Sequence, residues 1–143
     1  GGTLRDIMEG ADSSAVAHAS LTEEQWSKIQ SASSHPDHHR RLALDAQVPT
    51  LTASYHRVGN LTTKLVFSEA GGSNRSIPRL LTLRECCRAM GFPDEFLIPS
   101  NENDGHAAVA HCYKALGNAV CPPVIKAVGA RLISALESAG AVS

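Results

Sequence analysis

Tyr113-Lys114-Ala115-Leu116-Gly117-Asn118-Ala119-Val120-Cys121-Pro122-Pro123-Val124 is the stretch on which the reading of this chain turns. Gly117 can take a positive φ without steric cost, and Asn118 is the side-chain-bearing residue that tolerates that region best. Pro122 and Pro123 fit a helix only in its first turn, where backbone N–H groups have no intrahelical partner. A turn is therefore expected at Gly117-Asn118, with a helix starting near Cys121–Pro122. Its free N–H groups would point back toward Asn118, which suits a carboxylate, a phosphate or another polar ligand edge. The plainer alternative is a helix entry that meets only water.

Working outward, the helix carries Val124, Val128, Leu132 and Leu136 at four-residue spacing, flanked by Ile125 and Ile133. That is a broad apolar face. Either the chain oligomerises through it or the face belongs against a sheet absent from this sequence. A helical segment over about Ala107 to Tyr113 leads into the turn, after a polar loop over Pro99 to Gly105. Further upstream, Thr82 and Glu85 have capping-box spacing, with Leu81 and Cys86 as the accompanying staple. Gly91 falls at the C′ position, Phe92 can fold back on Cys87, and Pro93 stops the helix. At about two turns it must pack on something to persist. A second capping box, Thr22 with Gln25 and the staple Leu21–Trp26, predicts a helix from about Glu23 to Ser31 that buries Trp26 and Ile29. Thr3 to Glu9 reads as a short amphipathic start and Gly10 to Ser20 as a loop.

Between these helices, Val48-Pro49-Thr50-Leu51-Thr52-Ala53-Ser54-Tyr55 alternates and is rich in Thr, as a strand is. Pro49 confines it to a strand start or an edge. Val58-Gly59-Asn60 supplies a turn and Thr62 to Phe67 a second strand. The expected fold class is α+β: a small antiparallel hairpin or sheet plus helices. Four segments follow: lead-in helices and loop over 1–47, the β segment over 48–81, the capped helix and its loop over 82–99, and the turn with the last helix over 100–143.

The 143 residues make one domain or a piece of a larger one, and 43% apolar content supports a core. Net charge is −1, yet Arg57, Lys64, Arg75, Arg79, Arg84 and Arg88 face only Glu69 and Glu85 between positions 57 and 88, a local balance of +4. Such a middle is either a phosphate-facing surface or a solvated face. Cys86, Cys87, Cys112 and Cys121 form no disulfide or C-x-x-C pattern. No signal peptide pattern opens the chain, so reduced thiols in an intracellular protein are expected, in the cytoplasm of a prokaryote or the nucleus of a eukaryote. His35, Asp37, His38 and His39 lack the paired spacing of a structural zinc site, so no metal is expected. No apolar run is expected to reach membrane-spanning length, and no membrane partner is expected.

Three elements in this order resemble one family. Arg79-Leu80-Leu81-Thr82-Leu83-Arg84-Glu85-Cys86-Cys87-Arg88-Ala89-Met90-Gly91-Phe92-Pro93-Asp94 is similar to the ninth signature segment of DNA (cytosine-5) methyltransferases. Tyr113 to Val124 is similar to the tenth. Pro49-Thr50-Leu51-Thr52-Ala53-Ser54-Tyr55 resembles the threonine-rich element of the family's target recognition domain. Leu4-Arg5-Asp6-Ile7-Met8-Glu9 and Leu21-Thr22-Glu23-Glu24-Gln25 resemble, more weakly, the lead-in to that domain. The likeness covers only the family's C-terminal part. No Gly-x-Gly holds a cofactor here, no proline is followed by cysteine to make the nucleophile loop, and the Glu-Asn-Val segment is missing.

The resemblance implies a chain that completes an α/β Rossmann-like S-adenosylmethionine-dependent domain and holds only part of its cofactor site. By carry-over, Gly117, Asn118 and Ala119 would line the S-adenosylmethionine side. Thr50 and Thr52 would donate to phosphates beside a flipped nucleotide of double-stranded DNA, with Tyr55 assisting. Arg57, Lys64 and Arg75 are DNA candidates on charge and loop position alone, and solvated charge is the equal alternative. Glu85 would cap its helix and Arg84 tie that helix to the recognition segment. Cys86, Cys87 and Cys121 would be packing residues rather than nucleophiles. No catalytic residue is expected, and the partner would be a catalytic methyltransferase half, whether a separate chain or a missing N-terminal part. Two other readings stay open: a fragment of the family's tRNA-modifying branch, and a non-catalytic DNA-binding remnant.

Overall fold

The computed structural model describes residues 2–32, 40–59, 63–67, 77–99 and 105–140. Within them the chain forms six helices: α1 Leu4–Ile7, α2 Ser14–Ala19, α3 Glu23–Ala32, α4 Leu83–Ala89, α5 His106–Asn118 and α6 Pro122–Ser138. Arg75, the histidine-rich stretch 33–39 and the glycine-rich loop 71–74 lie outside the described residues.

Both capping-box signals hold. The Gln25 N–H donates to Thr22 Oγ1 at 3.1 Å and the Thr22 N–H to Gln25 Oε1 at 2.9 Å, which opens α3 as the capping box requires. At α4 the Glu85 N–H donates to Thr82 Oγ1 at 3.1 Å and the Thr82 N–H to Glu85 Oε2 at 2.9 Å. Gly91 ends α4 at φ 80°, and the Phe92 N–H donates back to the Cys87 carbonyl at 3.0 Å, the six-to-one bond of a Schellman motif. Two short helices are finds of the structure. A Thr3–Asp6 capping box starts α1, and α2 occupies part of the expected loop over Gly10 to Ser20.

The β expectation is overturned. Among the described residues no strand forms; pairing is limited to three isolated bridges, Ser20 with Arg79, Arg41 with Leu65 and Val66 with Arg79. The Val48–Tyr55 stretch joins no ladder and its end turns: the Tyr55 N–H donates to the Thr52 carbonyl at 2.9 Å and the Arg57 N–H to the Ser54 carbonyl at 2.8 Å. Pro49 has no N–H to give a ladder. Leu65 and Val66 therefore pair with Arg40–Leu42 and Arg79 rather than with Val48–Tyr55. Alternation of Thr with apolar residues also suits a turn that buries Leu51 and Tyr55 and exposes Thr50 and Thr52. Period two alone did not separate these cases.

One core cluster draws on all four segments: Leu4 and Leu42, then Leu51, Tyr55, Val66 and Leu81, then Leu83, Cys86 and Cys87, and finally Cys112, Tyr113 and Leu116. A smaller cluster sets Leu21, just before α3, and Ile29 of α3 against Leu65, with Trp26 edge-on to Phe67 at 5.8 Å. By contrast, no residue of α6 is buried. A further correction concerns apolar length. Within His106–Ser138 an 18-residue window is, by length and composition alone, apolar enough to cross a membrane, with a mean hydropathy of 1.5. The stretch is not one continuous rod, because Ala119 and Cys121 are extended (ψ 157° and 113°) and separate α5 from α6.

Candidate functional site: two turns held back to back

The first wall is the Thr50–Arg57 turn. Thr50 and Thr52 are exposed, and Thr52 Oγ1 lies 3.3 Å from Ser54 Oγ. Thr50, Thr52, Tyr55 and Lys64 all line one cavity of about 220 Å³, together with Leu42 and Leu81. The structure thus brings four of the six DNA candidates together. Tyr55 is not on the surface, however. Its side chain is buried, its hydroxyl donates to the Lys64 carbonyl at 3.0 Å and accepts from the Leu81 N–H at 2.9 Å. Burial raises its phenol well above the usual range, so it stays a neutral donor within the fold. Arg57 is exposed beside this turn, and the Thr63 hydroxyl donates to its carbonyl at 3.1 Å. Positive charge gathers here beyond the sequence candidates. His56 is held below its ordinary pKa by burial first, then by its neighbours Arg57, His106 and Lys114. No motif marks His106, and the motif that holds Lys114 gave no hint of this neighbourhood; both come close because α5 runs behind the turn.

The second wall is the break between α5 and α6. α5 runs through Gly117 and Asn118, and no non-glycine residue among those described has positive φ; the positive-φ glycines are Gly91, Gly105 and Gly140. The expected left-handed turn at Gly117-Asn118 is therefore replaced by a helix end. Gly117 is required for another reason. A Cβ there would lie under 3.0 Å from the Thr52 carbonyl group and the Ala53 nitrogen, so the helix end sits directly on the backbone of the first wall. Gly91 plays a similar part next door, where a Cβ would come within 2.6 Å of Pro123 Cγ.

The start of α6 also differs from expectation. Pro122 and Pro123 carry no N–H, and the next two N–H groups, of Val124 and Ile125, donate to the Cys121 carbonyl at 3.0 and 3.2 Å. No free donor row is left at that helix end for an anion. The polar edge comes from the break itself. Among the described residues, neither the exposed Asn118 side chain nor the N–H groups of Val120 and Cys121 have a hydrogen-bond partner. Such an edge, beside exposed Val120, fits one wall of a pocket for a ligand with polar and apolar parts.

Behind both walls stands α4. Glu85, with no exposed surface, receives Arg79 Nη1 at 2.7 Å and Nη2 at 2.9 Å, and also the N–H groups of Thr82 and Glu9 at 2.9 Å each. Arg79 was legible in the sequence only as part of a motif; its partner was not. Arg84 donates to the Phe96 carbonyl at 3.0 Å, so it ties α4 to the loop that follows rather than to the recognition segment. Cys86 and Cys87 are buried and burial raises both thiols. They are protonated packing groups, unlike a nucleophile, which needs the thiolate.

A larger cleft of about 290 Å³ lies apart from both walls' exposed residues, lined in part by His18, His56, Thr82, His106 and Tyr113. Among the described residues no group of His, Cys, Asp or Glu is placed to hold a metal.

This architecture recurs in a solved methyltransferase structure. The chain superposes on the crystal structure of the S. pombe Dnmt2 methyltransferase with a TM-score of 0.67 at 19% identity, covering 94% of this chain and 42% of that one. Residues 1–134 match the model of the C-5 cytosine-specific DNA methylases, and the chain belongs to that family. It is 37% identical over 89 residues to the type II methyltransferase M.SsoII of Shigella sonnei, covering 62% of this chain and 20% of that protein. It is 28% identical over 121 residues to the type II methyltransferase M.XorII of Xanthomonas oryzae pv. oryzae, covering 84% of this chain and 26% of the relative. The chain thus spans about a fifth to a quarter of these relatives' length.

Proposed function

We propose that this chain is the target-recognition and cofactor-pocket-completing part of a DNA cytosine-5 methyltransferase. Methyl transfer from S-adenosylmethionine to carbon 5 of cytosine would require the catalytic part as well. The observation that carries the reading is the pairing of two half-sites: exposed threonines on one turn, and the unpartnered Asn118 edge on the break packed against it. Thr50 and Thr52 donate hydroxyls to backbone phosphates, with Arg57 and Lys64 supplying positive charge. Tyr55 serves them from inside, holding the turn to Leu81 and Lys64. Asn118 and Ala119 close one side of the cofactor pocket, and the cofactor supplies the methyl group. The nucleophilic cysteine comes from the catalytic part, since the thiols of α4 are buried. The apolar row of α6 (Val124, Val128, Leu132) is the surface that meets that part.

Mixing this chain with one carrying the missing motifs should restore label transfer from methyl-labelled cofactor to duplex DNA; no transfer would defeat the complementation. Acceptance of label by tRNA instead of duplex DNA would move the substrate to RNA. If Arg57 and Lys64 neutralise about two phosphates, log affinity falls against log salt with a slope of about −2. A slope near zero would remove DNA from the first wall.

A further inference from the structure

We infer that Gly117 is a positioning residue that couples the DNA-facing turn to the cofactor-side break. This inference rests on the functional reading above. Gly117 is the penultimate residue of α5, directly before Asn118. Its missing Cβ lets the helix end lie on the Thr52–Ala53 backbone, where any side chain would force backbone to move. Backbone is the stiffest neighbour available, unlike the end of a flexible side chain.

A second tie runs parallel to it. Tyr113, one turn earlier on α5, donates its hydroxyl to the Leu81 carbonyl at 2.6 Å, while Tyr55 accepts from the N–H of the same residue at 2.9 Å. The two rings stand 5.9 Å apart. Leu51 and Leu116 are buried in the same cluster. The turn and the helix end are thereby held at both ends. A shift of Thr52 on meeting a phosphate must move Asn118, and a ligand settling on Asn118 must bias Thr52. Binding at either wall then changes affinity at the other, and linkage makes the effect reciprocal.

The test measures duplex DNA affinity of the full chain without cofactor, for wild type, Gly117→Ala, Thr52→Ala and Gly129→Ala. A glycine that only lets cofactor approach would leave this affinity unchanged on substitution. Coupling predicts that Gly117→Ala weakens DNA binding about tenfold, comparable to losing one hydrogen bond to a charged group. Gly129→Ala, whose Cβ meets nothing within 4 Å, should have no effect. Wild-type affinity in Gly117→Ala, alongside weakened binding in Thr52→Ala, overturns the coupling and leaves the DNA reading standing. Wild-type affinity in both variants removes Thr52 from the DNA and the coupling with it. Should Gly117→Ala fail to fold, wild type supplies the decision through hydrogen exchange. Saturating DNA should slow exchange at the Val120 and Cys121 amides, and unchanged exchange there overturns the inference.

Discussion

The ninth-segment helix α4 and the helix α6, whose first turn closes the tenth segment, end up in opposite environments. α4 is closed at both ends inside the chain: its cap by Thr82, its acidic residue by Arg79 and Glu9, its C-terminus by Gly91 and Phe92. α6 is more than twice as long and buries nothing; Val124, Val128 and Leu132 are each more than half exposed. The difference lies in partners. α4 is too short to persist without packing, so its survival depends on contacts within this chain. α6 has seventeen residues that sustain a helix locally, and no described residue of this chain buries its apolar row. The sharpest way to break this contrast is Glu85→Ala. Removing one member of a buried pair strands Arg79, which is 8% exposed, and should cost about 3–5 kcal/mol in urea unfolding. A loss below about 1 kcal/mol would mean that α4 is not the self-sufficient element described.

That contrast also explains what could be read from residues alone. Both capping boxes, the Gly91 stop and the entry of α6 at Pro122 were legible, because each depends on a few adjacent residues. The hairpin was not, since Thr50 and Thr52 alternate with buried neighbours in a turn as they would in a strand. Gly117 was singled out for the wrong reason. Its neighbour across space is Thr52, and no sequence spacing reveals a close approach between positions so far apart. Arg79 and Glu85 were both visible, but their pairing required the fold. Tyr55 was read as a surface contact because its motif sits beside the exposed threonines, whereas its side chain points inward to Leu81.

On the α6 side, Leu132→Asp should leave urea unfolding of this chain nearly unchanged, because surface substitutions away from packed features stay within about 0.5 kcal/mol. Its effect should appear in assembly with the catalytic part. Burying one leucine contributes about 1.5–3 kcal/mol, so affinity should fall about tenfold to a hundredfold in calorimetry. Equal affinity for both forms would place the docking surface elsewhere. Tyr55→Phe sharpens the link between the two regions. It leaves the Leu81 N–H and the Lys64 carbonyl without the hydroxyl that serves both, which should cost about 1–3 kcal/mol. DNA affinity should drop along with stability if the phenol supports Thr50 and Thr52, whereas a direct phosphate contact would weaken binding with stability intact.

The smallest expected effect is at the exposed edge of α4, where Arg88 meets Asp94. The Arg88 Nε–Oδ1 distance is 2.7 Å and the Nη2–Oδ2 distance 3.2 Å, and Arg88 Nη1 reaches the Ile7 carbonyl at 3.2 Å. The hydrogen bond from Arg88 lowers the Asp94 pKa below its ordinary value. A carboxylate depressed in the folded state contributes stability above its unfolded pKa, about 3.9, and loses it as pH falls through the folded value. Asp94→Asn should therefore lower the melting midpoint slightly at neutral pH. The gap from wild type should close on acidification below that ordinary value. Asp94 is 60% exposed on its side chain, so solvent and salt screen the pair and the gap should shrink in high salt as well. A gap that persisted at low pH would assign the effect to packing of the Pro93–Phe96 turn instead of charge. That outcome would make even the exposed end of α4 depend on contacts within this chain, and would widen its difference from α6.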